Sequence, residues 1–212
     1  MDTRRVASCL LPLALLLASC SEERPKPAES VKPEAAKPEA PPEPVTGRTA
    51  FHQMYLAARA WARDAEPLRL ASLNLSEVPS QPGKAGAWEA TFASAERRQA
   101  KRFTYSVVES SGNLHKGVFA GPEEAYTGPT TQRKPFLIPA FKTDSDQAFE
   151  LAAKHAEAYI KKHPDTPVNY LVENSNRFPN PTWRVFWGQS VGTSGFYVFV
   201  DLTTGQFLQK MR

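Results

Sequence analysis

Cysteine is nearly absent from this chain. Of 212 residues only Cys9 and Cys20 carry a thiol, so no disulfide framework and no Cys-x-x-Cys metal or redox motif is available. Histidine is scarce too. His52, His115, His155 and His163 lack the i, i+4 His or carboxylate partner that a zinc-binding helix uses. Asp144 and Asp146 look like the opening of a calcium loop, but the glycine and glutamate that should follow are missing. No metal and no cofactor is therefore expected. No charge of one sign dominates, the formal net charge being +4. Basic residues are not clustered with base-stacking aromatics, so no nucleic acid is expected as a partner. Long apolar runs are missing as well. The run from Val6 to Ser19 contains Pro12 and falls short of the roughly 20 residues a membrane-spanning helix needs.

What stands at the start is a secretory pattern. Arg4 and Arg5 precede the apolar run, which closes on Leu17-Ala18-Ser19-Cys20. That ending resembles the lipobox of bacterial lipoproteins. The resemblance implies that residues 1–19 are a signal peptide, that Cys20 becomes the first residue, and that its thiol takes a diacylglyceryl group and its amine a further acyl chain. Two or more chains make a stable membrane anchor where one is marginal. The partner implied at this end is the membrane, through lipidated Cys20. Ser21 follows where an Asp commonly retains such proteins at the inner membrane. The family pattern thus implies a cell-envelope location, on the outer membrane facing the periplasm if the cell has two membranes.

Residues 20–46 read as a tether. Prolines 25, 27, 33, 38, 41, 42 and 44 alternate with Glu, Lys and Ala, and no aromatic residue is present. Burial cannot offset chain entropy there, so a disordered, polyproline-biased segment is expected. At about 3.1 Å per residue it reaches up to roughly 80 Å. Residues 47–212 hold 20 Lys/Arg against 15 Asp/Glu, and the tether 4 against 6. This excess reads as a solvated surface that also suits anionic head groups or glycans.

Within 47–212 two halves look alike. Ala50-Phe51 and Ala148-Phe149 open two stretches with apolar residues at helical spacing. Thr49 is the expected cap of the first helix and Pro67 its end. Asp144 with Gln147 is the expected capping pair of the second, and Pro164 its stop. Each helix leads into a strand (Leu68–Leu75, Val168–Val172), then a Trp-led strand (Trp88–Phe92, Trp183–Trp187). Phe103–Gly112 then lines up with Phe196–Gly205 without a gap, and each leads into a last strand (Asn113–Val118, Gln206–Met211). The expected class is α+β, as two tandem repeats, each a helix packed on a small antiparallel sheet. The units are placed at 47–119 and 144–212, with a connector at 120–143 whose Phe136-Leu137-Ile138 patch packs on a sheet.

This order is similar to the PepSY domain family of bacterial envelope proteins and metallopeptidase propeptides. Phe199-Val200-Asp201-Leu-Thr-Thr-Gly205-Gln-Phe-Leu resembles that family's final hairpin. The resemblance covers 145–212 better than 50–118, where Val108 stands opposite Asp201. It implies a noncatalytic module that binds or restrains peptidases. Outer-membrane assembly lipoproteins and secreted enzyme inhibitors have a similar element order.

Gly188-Gln-Ser190-Val-Gly192 fits the G-x-S-x-G nucleophile elbow, which needs a helix after the turn and a later histidine. No His follows His163, and a glycine- and serine-rich hairpin loop explains the match. Glu123-Glu124 reads as a solvated turn. The aromatic strands are the best candidate for binding. Trp183, Val185 and Trp187 share one face of their strand, Arg184 and Phe186 the other. A helix can cover one face. The other either packs between the two units or stays open to a ligand. The candidate binding face comprises Trp88, Trp183, Trp187, Phe186 and Tyr197. The reading that results is a noncatalytic, lipid-anchored envelope lipoprotein that binds a protein partner, such as a peptidase it restrains or assists. The alternatives are a structural accessory of an envelope assembly and a hydrolase using Ser190.

Overall fold

The structure, a computed structural model, describes residues 41–110 and 114–212. The signal segment, Cys20, the tether up to residue 40 and the Gly112 turn lie outside the described residues.

Helix α1 (Gly47–Trp61) starts behind Thr46, whose Oγ1 accepts the Thr49 N–H at 3.4 Å. Thr46 is therefore the cap, where the sequence pointed to Thr49. The helix ends at Trp61, short of Pro67, because Ala62 already turns to extended backbone. Its buried stripe is Gly47, Ala50, Phe51, Met54 and Ala58, at the three- and four-residue spacing of one helix face. Helix α2 (Ser145–Lys162) has the expected capping box. Ser145 N–H donates to Asp144 Oδ1 at 2.6 Å and Asp144 N–H to Gln147 Oε1 at 2.9 Å. Ala148, Ala152 and Ala156 form its buried stripe. The two N-termini meet. Asp144 Oδ1 also accepts Arg48 N–H at 2.9 Å, and Ser145 Oγ accepts Gly47 N–H at 2.7 Å.

The strands are β1 (Val45–Thr46), β2 (Glu66–Leu73), β3 (Lys84–Ala85), β4 (Ala87–Ser94), β5 (Gln99–Ser106), β6 (Gly117–Ala125), β7 (Val168–Glu173), β8 (Thr182–Trp187), β9 (Phe196–Asp201) and β10 (Phe207–Met211). β1 pairs with β3. The others form one eight-stranded antiparallel sheet in the order β10-β9-β8-β7-β2-β4-β5-β6.

This corrects the expectation of two separate repeats, each with its own small sheet. The halves are fused through β2 and β7, with Arg69 opposite Glu173, Leu70 opposite Val172 and Ala71 opposite Leu171. The physical reason lies in β7. It buries Tyr170 and Val172 on one side and Leu171 on the other. As the edge of a separate sheet it would expose an apolar strand with unpaired N–H and C=O groups. Pairing with β2 satisfies both demands. The two halves therefore meet edge to edge, and their sheet faces do not pack on each other.

Both helices lie on one side of the sheet, over Trp88, Phe92, Trp183, Val185, Trp187 and Val198. The Trp88 and Trp183 rings meet edge-on at 6.3 Å. Phe136 joins this core against Phe51, while its neighbour Leu137 is 69% exposed. β6 runs on to Ala125, so chain placed in the connector is strand, and Glu123 and Glu124 sit on that strand rather than in a turn.

Candidate binding face

Alternation along β7, β8 and β9 decides what lies away from the helices. Asn169, Leu171 and Glu173 point there from β7, Arg184 and Phe186 from β8, and Tyr197, Phe199 and Asp201 from β9. Register then pairs them, Arg184 opposite Phe199 and Phe186 opposite Tyr197. The Arg184 guanidinium lies 5.1 Å from the Phe199 ring centre and 5.8 Å from that of Tyr197. Arg177, from the β7–β8 loop, covers Phe199 from above at 4.4 Å and also lies 5.4 Å from Phe178. Cation–aromatic contacts of this kind contribute about 0.5–2 kcal/mol and grow as water is excluded.

Glu173 is the nearby carboxylate, 3.6 Å from Arg184. Arg184 Nε is buried and has no hydrogen-bond partner among the described residues. A cleft of about 430 Å³ opens here, lined by Thr131, Gln132, Glu173, Ser175, Arg177 and Arg184. A second, of about 400 Å³, lies across the β2–β7 seam on a floor of Ala71, Leu171 and Phe186, with Val191 at its wall. The site is thus cationic and aromatic, with an apolar patch beside it.

The same side of the first half is different. Arg69 pairs with Glu89 at 3.2 Å, Arg102 with Glu89 at 3.6 Å and with Glu124 at 3.2 Å. Charges there answer one another along the sheet.

The structure divides the five residues proposed as one face. Trp88 and Trp183 are fully buried, and Trp187 is 3% exposed. Their place is the core under the helices, where Trp88 Nε1 donates to Val45 O at 3.1 Å and Trp183 Nε1 to Thr143 O at 2.9 Å. Phe186 and Tyr197 lie on the opposite side. The residues that complete the site, Arg177, Phe178, Arg184 and Phe199, were not singled out as binding residues. Arg184 was already assigned to the side of Phe186 by alternation, and that was the available signal.

Asp201 holds a turn together. Burial opposes its ionisation, but the N–H groups of Thr204 and Thr203, each at 2.8 Å, and the Asn180 amide at 3.0 Å outweigh it and hold the carboxyl below its ordinary range. Gly205 closes the turn at φ 70°. Burial raises the Tyr170 hydroxyl above the usual tyrosine range, and that oxygen accepts the Gly83 N–H at 2.7 Å inside the core.

The Ser190 loop joins β8 to β9, two antiparallel strands, where a nucleophile elbow needs a helix. Ser190 Oγ lies 2.9 Å from Thr193 Oγ1. Among the described residues no group of three His, Cys, Asp or Glu side chains is placed to hold a metal ion. His155 stacks on Phe207 at 3.7 Å, and His115 lies 3.3 Å from Glu109.

No family model matches this chain, and no curated protein matches it. Among solved structures, that of a candidate lipoprotein from Clostridium difficile 630 is similar over 76% of this chain and 91% of that chain, at 10% identity and a TM-score of 0.49. Among the described residues no helix is long and apolar enough to cross a membrane.

Proposed function

We propose that this chain is a noncatalytic envelope lipoprotein, anchored through Cys20, whose folded part binds a partner protein on the β7–β9 face. The observation that carries this reading is the Arg184–Phe199–Arg177 stack beside an apolar floor. Arginine and aromatic residues supply most binding energy at protein interfaces, because they combine apolar area with directed hydrogen bonds. The cationic excess suits a partner surface carrying carboxylates. An exported peptidase is the first partner class to test, since the hairpin at 199–208 resembles that of a family tied to peptidases. The missing Asp after Cys20 supports the outer membrane, in a cell that has one.

The test is photo-crosslinking in cells. A photoreactive residue replaces Tyr197 in one variant and Thr91, on the same side of the first half, in another. The expected result is one protein captured from position 197, not from 91, and lost when Arg184→Gln is added. Equal capture at both positions, or capture indifferent to Arg184→Gln, overturns the assignment of the face. Cell fractionation of Cys20→Ala tests the anchor separately.

A further inference from the structure

Helix α1 turns a second, unrelated surface outward. Arg48, His52, Leu56 and Arg59 follow one another at intervals of three or four residues along the helix, Arg63 stands in the turn just past its end, and all are exposed. Leu56, at the middle of this row, is 54% exposed. α1 contains no carboxylate. Neither Arg59 nor Arg63 has an acidic partner among the described residues. Arg48 is held in place by the Lys142 carbonyl and the Phe141 ring.

The acidic groups nearest the helix are mostly engaged. Asp64 accepts from Ser94 Oγ at 2.6 Å and from Glu96 N–H at 3.0 Å. Glu123 takes the Trp61 indole N–H at 2.8 Å and Lys101 at 3.3 Å, with Arg97 at 3.9 Å. Asp144 is spent on two backbone N–H groups. Glu66 and Glu96 are exposed beyond the helix end, Glu66 lining one cleft with Arg59 and Asp64.

The tether enters the fold at this helix. Val45 and Thr46 pair with Ala85 and Lys84, Val45 O accepts the Trp88 indole, and Gly47 begins α1. The anchored chain therefore reaches the domain on the helix-covered side of the sheet.

We infer that the outer face of α1 docks on the anionic lipid head groups of the bilayer that holds the anchor. Three arginines with one apolar side chain among them match a charged, shallow interface. This docking directs the β7–β9 face away from the membrane, toward a partner. The inference rests on the reading of Cys20 as the anchor, but its test does not.

The mature chain, residues 20–212, is prepared with Cys20→Ser so that no acyl chain is present. It is sedimented with vesicles of equal parts phosphatidylglycerol and phosphatidylcholine, and with vesicles of phosphatidylcholine alone. Binding is expected only to the anionic vesicles, and it should fall away between about 0.05 M and about 0.5 M salt. Arg59→Gln with Arg63→Gln lowers partitioning on the order of tenfold. Lys161→Gln with Lys162→Gln, at the end of α2, leaves it within about twofold. Far-ultraviolet circular dichroism checks that each variant is folded. Equal binding to both vesicles, absence of binding, or equal loss in the α1 and α2 variants overturns the inference. Loss of membrane association by Cys20→Ala in cells, with vesicle binding absent, leaves the anchor standing without the docking. Vesicle binding with Cys20→Ala still membrane-bound supports the docking, because α1 then holds the chain at the bilayer without acyl chains.

Discussion

The two halves of the sheet carry the same elements in the same order and put them to different use. α1 leads into β2, β4, β5 and β6, and α2 into β7, β8, β9 and β10. On the helix side they are close to interchangeable. Trp88 on β4 and Trp183 on β8 flank the β2–β7 seam at matching places, touch each other, and each donates its indole N–H to a carbonyl just before a helix. Away from the helices they diverge. The first half closes its charges into an Arg69–Glu89–Arg102–Glu124 ladder. The second half has two arginines, Glu173, a turn-bound Asp201 and a group of aromatic rings. The helices differ in the same way. α1 exposes arginine and histidine with no acid, whereas α2 mixes Glu150, Lys154, Glu157 and Lys161. Core positions answer to packing density, which leaves little freedom. Outward positions are free of that demand, and there the halves have specialised.

The comparison breaks first at the seam. Trp183→Ala should cost about 3–5 kcal/mol of stability, and Trp88→Ala a similar amount. Urea unfolding of the double variant should show less than the sum, because the rings share one contact. Full additivity would mean that the two halves do not support each other there.

The hairpins offer a sharper contrast, since Ser106 stands opposite Ala87 where Asp201 stands opposite Thr182. Asp201→Ala should cost about 2 kcal/mol near neutral pH, by leaving two turn N–H groups and the Asn180 amide without an acceptor. The native carboxyl titrates below its ordinary value, so its contribution is present above the unfolded pKa of about 3.9 and lost as pH falls through the lower native value. Denaturation midpoints of wild type and variant should converge below about pH 4. A gap that persists unchanged in acid would show that the charge contributes nothing.

At the helix junction, a Cβ on Gly47 would lie 2.7 Å from Trp183 Cη2 and 3.1 Å from Trp88 Cη2. Gly47→Ala should therefore destabilise by about 1–2 kcal/mol by overpacking, despite alanine's better helix propensity. Thermal unfolding checks the sign.

The smallest effect on stability should separate the two outward surfaces most cleanly. Arg69→Gln and Arg184→Gln should each change stability by about 1 kcal/mol or less. Only Arg184→Gln should weaken capture of the crosslinked partner, and an equal loss from Arg69→Gln would erase the distinction between ladder and site.

Much of this was legible along the chain. The Asp144 and Gln147 box, the strand stretches and the opposite facing of Trp183 and Arg184 all follow from residues a few positions apart. The Thr49 cap failed because Thr46 lies one step outside the helix, with an equally suitable hydroxyl. The five aromatic residues were divided between two faces for a different reason. A tryptophan-rich strand looks the same whether its ring lies under a helix or open to solvent, and only the placement of α1 and α2 decides which.

The sequence by itself determined the helices, most of the strands and which side chains share a strand face, because helix capping and two-residue alternation are local. Tertiary structure decided that β2 pairs with β7, that one sheet spans both halves, and that Arg177 comes to rest on Phe199. The first two outcomes depend on hydrogen bonds and burial between segments about a hundred residues apart, such as Ser72 Oγ accepting the Tyr170 N–H across the seam, and the third on a loop folding back over a later strand; no local pattern specifies a partner for either.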